Sequence, residues 1–378
     1  MGVHATGSIL RGNAMRSVAC RPRANRWARE HAASGRGSGR SSVSRPCRGR
    51  RRGPVAAAAQ PSKDAPLVVV GSANCDLVLS LDRVPDAGET LAARSLETHP
   101  GGKGANQAAA AACLGQRTCF VGQVGDDSSG TYMRHELAAR GVDLAALRSV
   151  PGVPTGTAVI MLDQTGENRI IIVGGANTHL PWDHLPQREG AGSAGALIAG
   201  AGALLLQREV PGTEVNVAAA QAARAAGVHV VLDCGGQEGP LEDGLLEACD
   251  TISPNETELA RMTGLPTATD AEVLAAAESM LSDGKRQVLV KLGSKGSVLV
   301  RSGEEPIRQP AIPAPEVVDT TGAGDCFTAA FAVAFLEGKA PAECMRFAAA
   351  AASLCVRRMG AMSSMPSRAE VEALLREG

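Results

Sequence analysis

Short apolar runs of strand length alternate along this chain with Ala-rich stretches of helical length, and that order narrows the possible folds more than any other feature. Runs at residues 67–70, 228–232, 288–290 and 297–300 are interleaved with helical stretches such as 215–226 and 271–281. Strands alternating with helices predict an α/β fold, with a mainly parallel sheet covered by helices on both faces. Two further pairs of segments read as short antiparallel hairpins: 77–81 with 90–94, around Pro85-Asp86-Ala87-Gly88, and 158–162 with 168–173, around 163–166. They predict a small accessory sheet.

Charge divides the 378 residues into two parts. Residues 1–62 hold thirteen Arg, no Lys and one acid, Glu30, whereas residues 63–378 hold 25 basic and 38 acidic side chains. A leader rich in Arg, Ser, Ala and Gly, without an apolar core, has the composition of an organelle transit peptide, with removal expected between Arg52 and Asp64. Its Ser and Ala content favours a plastid over a mitochondrion. A disordered nucleic-acid-binding arm would use the same arginines. The remaining 316 or so residues suit one large α/β unit.

Several classes are excluded. Residues 190–206 carry no charge but are too Gly-rich and broken to span a bilayer, and read as a loop leading into a core strand. Ten cysteines, none in a C-x-x-C pair, lack metal-ligand spacing and read as reduced core residues. Few aromatic residues leave few platforms for stacking bases. There is no G-x-x-x-x-G-K-[ST] loop; Gly190, Gly192 and Gly195 match G-x-G-x-x-G but follow the polar Gln187-Arg188-Glu189 where a strand is required.

The chemistry concentrates in four turns. Asp319-Thr320-Thr321-Gly322-Ala323-Gly324-Asp325 leads into an apolar helix expected at 326–336. Glycines there admit a close ligand, and the free N–H groups at a helix start form an anion hole from Gly322, Ala323 and Gly324. Asp325 beside such a hole is suited to take a proton from an attacking hydroxyl; an Asp that merely caps and charges the first turn is the alternative. Far upstream, Gly101-Gly102-Lys103-Gly104-Ala105-Asn106-Gln107 forms a second glycine cluster, so that two ligands are expected. Asn74 and Asp76 follow the strand at 67–70, and Asn255 and Glu258 follow Thr251-Ile252. Polar turns at strand ends are where an open α/β sheet binds ligands. Strand-end turns also favour Asn and Asp for local reasons, Lys103 could be a solvated cation, and Glu258 a helix-surface carboxylate.

Five separated motifs, these four turns among them, in order from about residue 68 to 366, resemble the ribokinases of the PfkB carbohydrate-kinase family. The resemblance implies a ribokinase-like α/β domain with a small β-sheet lid that also forms a homodimer contact. It implies ATP-dependent phosphorylation of D-ribose to ribose 5-phosphate, with Asp325 as general base and no nucleic acid or membrane partner. Asn74, Asp76, Gly102, Lys103, Asn106 and Glu209 would hold the sugar. Asn255, Lys291, Gly293, Ser294, Gly296 and Gly324 would bind the nucleotide, with Glu258 tied to Mg2+. A K+ site would be formed by Asp319, Thr321, Cys355, Arg358, Gly360 and Ser364, mostly through backbone carbonyls. The chain departs from the resemblance at Met362, where ribokinases often have Gln, and at Lys291, where many have Thr. Another PfkB kinase, acting on fructose, a sugar acid or a nucleoside, and a non-catalytic scaffold are the alternatives.

Overall fold

A computed structural model describes residues 62–165, 168–179, 193–210, 212–237, 239–281 and 286–377, all within one compact unit, Ala56–Gly378. The leader expected over 1–62 lies outside the described residues apart from Ser62, as do Gly190 and Gly192 of the G-x-G-x-x-G match.

In chain order the elements are β1 (Leu67–Val70), β2 (Asn74–Ser80), β3 (Ser95–Gly101), α1 (Lys103–Cys113), β4 (Thr118–Gly125), α2 (Ser128–Ala139), β5 (Leu147–Val150), β6 (Gly156–Leu162), β7 (Asn168–Val173), α3 (Ala194–Ala199), β8 (Ala203–Arg208) and α4 (Thr213–Ala225). They continue with β9 (His229–Gly236), α5 (Asp243–Ala248), β10 (Thr251–Ser253), α6 (Glu256–Thr263), α7 (Asp270–Ser279), β11 (Gln287–Lys291), β12 (Ser297–Arg301), β13 (Ile307–Gln309), α8 (Ala323–Leu336), α9 (Pro341–Cys355) and α10 (Arg368–Glu377).

The apolar strands sort their side chains by parity. Leu67, Val69, Phe120, Leu205 and Val231 point into one buried cluster, with α1, α8 and α9. Val68, Val70, Leu204, Leu206, Val230 and Leu232 point into the other, with α4 and α7. Both faces are therefore covered, as continuous apolar runs require. The nine strands run in the order β13-β12-β11-β10-β9-β8-β1-β4-β5. Pairing is parallel from β5 to β11 and antiparallel across β11, β12 and β13. Truncating the fully buried Leu205 to Ala would cost about 2–5 kcal/mol.

A second sheet of four strands has the order β3-β2-β6-β7. Its outer pairs are antiparallel and β2 runs parallel to β6. The hairpin at 158–162 and 168–173 forms as expected. The first forms with its second strand displaced: β2 pairs with Ser95–Gly101, and of 90–94 only Arg94 bonds to it, through its N–H to Ser80 O (2.7 Å), the rest lying in the connecting loop. That strand, Ser-Leu-Glu-Thr-His-Pro-Gly, exposes four of its seven residues and carries no apolar alternation to mark it. Two smaller differences concern helices. α8 begins at Ala323, three residues before its expected start, because small residues continue the helix back to the glycine turn. The 190–206 stretch holds the short helix α3, capped by Ser193, ahead of β8.

Candidate active site

Five neighbouring parallel strands, β1, β8, β9, β10 and β11, end on the same side of the large sheet. Ser72, Glu209, Asp233, Asn255 and Lys291 sit at or just past those ends. α1 starts there too, because Gly71 and Gly104 let the turn after β1 touch the helix: a Cβ on Gly104 would lie 2.7 Å from the Gly71 backbone. Gly102 precedes α1 with φ 87, a conformation that favours glycine.

Glu209 faces that helix start. Its Oε2 accepts from the Lys103 N–H (2.8 Å) and from the Ser72 hydroxyl (2.5 Å), so a carboxylate meets the positive end of the α1 dipole. Asp76, on β2, is pushed up to about 7 by burial first and then by the nearby Glu209 and Asp325 carboxylates. It fits only because position 101 is glycine; a Cβ there would stand 2.0 Å from Asp76 Oδ2. Asp76 Oδ1 and Asn106 Oδ1 are buried acceptors with no hydrogen-bond partner among the described residues. Buried polar atoms are normally satisfied, so two orphans on residues that each interact with Asp325 suit a hydroxylated ligand.

Asn74 is buried and its amide orientation is fixed from behind. Asn177, in the turn after β7, accepts from the Ala73 N–H with Oδ1 (3.0 Å), which leaves its Nδ2 to donate to Asn74 Oδ1 (2.8 Å). A backbone N–H can only donate, so Asn74 must present its Nδ2 as the free group.

Asp325 occupies the third position of α8, 6% exposed. Its Oδ1 accepts from Gln107 Nε2 (2.9 Å) and its Oδ2 from Asn106 Nδ2 (3.0 Å). Burial raises its pKa; the Lys103 ammonium opposes the rise, Asp233 adds to it, and the two amides oppose it. Gly322, at φ 78, packs against Ala361 where a Cβ would be 2.9 Å from Ala361 Cα. Of the helix-start amides, Ala323 N–H is taken by Thr320 O (3.2 Å), while those of Gly324 and Asp325 have no acceptor among the described residues. Two free N–H groups, of Gly324 and Asp325, are thus left at the helix start within the segment expected to form the anion hole and next to it.

A cleft of about 750 Å³ opens on the other side of Asp325 and Lys103. Lys291, Gly293, Ser294, Gly296, Asn255, Glu258 and Gly324 all line it. Lys291 is not a free cation: it pairs with the buried Asp233 at 2.7 Å, and Asp233 also accepts from Thr328 (2.6 Å) and the Gly235 N–H (2.9 Å). Burial alone would raise Asp233, but Lys291 and Lys103 outweigh it and hold the carboxyl low. Asn255 and Glu258 form a reciprocal capping box at the start of α6, with Glu258 Oε2 on the Asn255 N–H (2.8 Å) and Asn255 Oδ1 on the Glu258 N–H (2.7 Å).

The residues expected to hold K+ also come together. Asp319 accepts from the Thr321 N–H (2.8 Å) and the Gly360 N–H (2.9 Å), which overcome burial and lower its pKa. Cys355 Sγ lies 3.0 Å from Ser364 Oγ, which itself donates to Ala361 O. Arg358 sends its guanidinium to Glu370, so only its backbone could serve a cation. Among the described residues no cluster of three or more His, Cys, Asp or Glu could hold a metal.

Sequence reasoning missed Asn177, Asp233 and Thr328, and gave neither Gln107 nor Gln207 a role. Asp233 had a signal, a carboxylate closing an apolar strand. Asn177 had none, because only the folded chain brings it to Asn74.

Residues 64–368 match the pfkB family carbohydrate kinase profile. The chain is similar to a curated Arabidopsis thaliana ribokinase, 51% identical over 313 residues, covering 82% of this chain and 81% of that protein. It is also similar to a Haemophilus influenzae ribokinase, 39% identical over 304 residues, covering 80% and 96%. Among solved structures, Arabidopsis thaliana ribokinase complexed with ribose and ATP superposes with a TM-score of 0.77 at 51% identity, covering 82% of this chain and 99% of that one.

Proposed function

The chain belongs to the pfkB family of carbohydrate kinases, and from that premise we propose that it transfers the γ-phosphoryl group of ATP to the 5-hydroxyl of D-ribose. One observation carries the reading. Asp325, with two unpartnered helix-start N–H groups beside it, stands where a cluster of polar side chains meets the cleft lined by Lys291 and Gly293. The relative solved with ribose and ATP supplies the substrate pair.

In this mechanism Asp76 and Asn106 accept from ribose hydroxyls and Asn74 donates to a sugar oxygen, fixing the attacking hydroxyl against Asp325. Asp325 takes the hydroxyl proton as the bond from that oxygen to the γ-phosphorus forms, while the bond from the γ-phosphorus to the bridging oxygen breaks and ADP leaves. The Gly324 and Asp325 N–H groups, with the Lys103 and Lys291 ammonium groups, offset charge on the transferred phosphoryl oxygens. Glu258, whose Oε1 is left over by the capping box, would hold Mg2+ brought with the nucleotide, which would supply further charge neutralisation. The Asp319 loops suit K+, a fixed charge beside Gly322.

Two wider proposals accompany the chemistry. The chain pairs as a homodimer through the small sheet, where Ile170, Ile171, Ile172 and Val173 are each more than half exposed on both faces of the edge strand β7. The Arg-rich leader directs import into a plastid, with a mitochondrion as the alternative; a cytosolic location for a fusion bearing the leader removes that proposal.

The reaction is tested by a panel of ribose, fructose, sugar acids and nucleosides with ATP. Ribose is expected to give the highest kcat/KM and a 5-phosphate product. Asp325→Asn is expected to lower kcat by roughly 100- to 10,000-fold. A preferred fructose or nucleoside would reassign the substrate, and unaltered turnover in Asp325→Asn would remove the base.

A further inference from the structure

Two glutamines stand behind the carboxylate of Asp325. Gln107 Nε2 donates to Asp325 Oδ1 at 2.9 Å, and Gln107 Oε1 accepts from Gln207 Nε2 at 2.6 Å. Both side chains are 0% exposed. Neither lines the nucleotide cleft. We propose that Gln207 and Gln107 form a buried amide relay that positions Asp325, holding its carboxylate plane and keeping it ionised for proton abstraction; the proposal rests on Asp325 being the base.

The order of the relay is forced. An ionised carboxylate only accepts, so Gln107 must turn its NH₂ to Asp325 and its carbonyl oxygen to Gln207. Gln207 Oε1 is left without a partner among the described residues, and the Cβ that any residue but glycine would bring at position 71 would stand 2.2 Å from it. Burying two long amides and leaving one acceptor unsatisfied is costly, so packing alone would be better served by Leu or Met. With Asn106 on Oδ2, each oxygen of the base has one fixed donor and the carboxylate cannot rotate. The donors matter because the other charged and titratable groups around Asp325 conflict: Lys103 favours its ionised form, whereas Asp233 and Asp76 oppose it, and the Cys326 and Cys355 thiols lie alongside.

The test compares Gln107→Met, Gln207→Met and Asp325→Asn in the full chain, measuring kcat and ribose KM against pH, with thermal melts as a control for folding. Loss of a hydrogen bond to an ionised group predicts a kcat roughly 10- to 100-fold lower in Gln107→Met, with ribose KM little changed and the acidic limb of the kcat profile moved to higher pH. Gln207→Met should move both in the same direction by less. Gln107→Glu keeps the shape but sets a second carboxylate against the base once ionised, so its kcat should fall as pH rises where the wild type is flat. Melting points that drop while the acidic limb stays in place in all three glutamine variants would overturn the relay and leave only a packing role. Wild-type-like Gln107→Met beside an inactive Asp325→Asn overturns the relay alone; wild-type-like Asp325→Asn overturns the base and the relay with it.

Discussion

Asp76 must be ionised to accept from two sugar hydroxyls, yet burial and its neighbours push its pKa to about 7 in the sugar-free protein. In the unfolded chain the same group titrates near its ordinary 3.8. Between those values the native state holds a proton that the unfolded state has lost, so this residue's contribution to stability falls as pH rises through that window. Ribose, by favouring the carboxylate, should reverse the trend. Ribose affinity is therefore expected to increase from about pH 6 to 8, with proton release measurable by calorimetry in buffers of different ionisation enthalpy. Asp76→Asn should abolish that pH dependence and weaken kcat/KM for ribose roughly 10- to 150-fold, the value of a charge-assisted hydrogen bond of about 1.5–3 kcal/mol. A ribose affinity flat across this range would sink the assignment. Asn74, Asp76 and Asp325 were legible because a polar residue at a strand end or beside glycines stands out in sequence. Gln207 and Asn177 were not, because their work is defined only by a partner 100 or more residues away.

Among the elements, helix starts were the most legible and the small sheet the least. The turn at 319–325 announced α8, and Gly322 sits there at φ 78 as the motif demands, touching Ala361 of the loop that also receives Asp319. Such contact ties the helix start to the 355–364 segment. Activity should accordingly rise on adding K+ to a sodium-free buffer containing Mg2+, and Asp319→Ala should blunt the response; equal rates with and without K+ would argue against a cation there. Asn255-x-x-Glu258 shows how a motif can carry two meanings. Its reciprocal hydrogen bonds are those of Thr269-x-x-Glu272 at the start of α7, which lies outside the cleft. Spacing alone could not separate a helix cap from a nucleotide contact, and comparing Glu258→Gln with Glu272→Gln would do so. The strand β3 escaped notice because an exposed strand containing a proline lacks the alternation that reveals half-buried ones.

At the scale of the whole molecule, alternating strands and helices were enough to read the large sheet, whereas the pairing of β2 with β6 follows from no local pattern. The edge strand β7 gives the proposed dimer a direct test. Ile171→Lys should leave the fold intact, since the side chain is 56% exposed, and convert dimers to monomers in sedimentation. A wild-type chain that sediments as a monomer at micromolar concentration would remove the dimer. One of the connections between the large sheet and the small one is Gly71, Ser72 and Ala73, and strand β2 of the small sheet opens with Asn74 and Asp76. Two of the side chains that would grip the sugar, Asn74 and Asp76, are thus built into the same four-stranded element that would meet a second subunit. Association and substrate capture then obey mass-action linkage: if pairing tightens the hold on ribose by some factor, ribose must tighten pairing by the same factor. Below the concentration at which subunits separate, the apparent KM for ribose would climb with dilution, and the sugar itself would act as the glue between two chains.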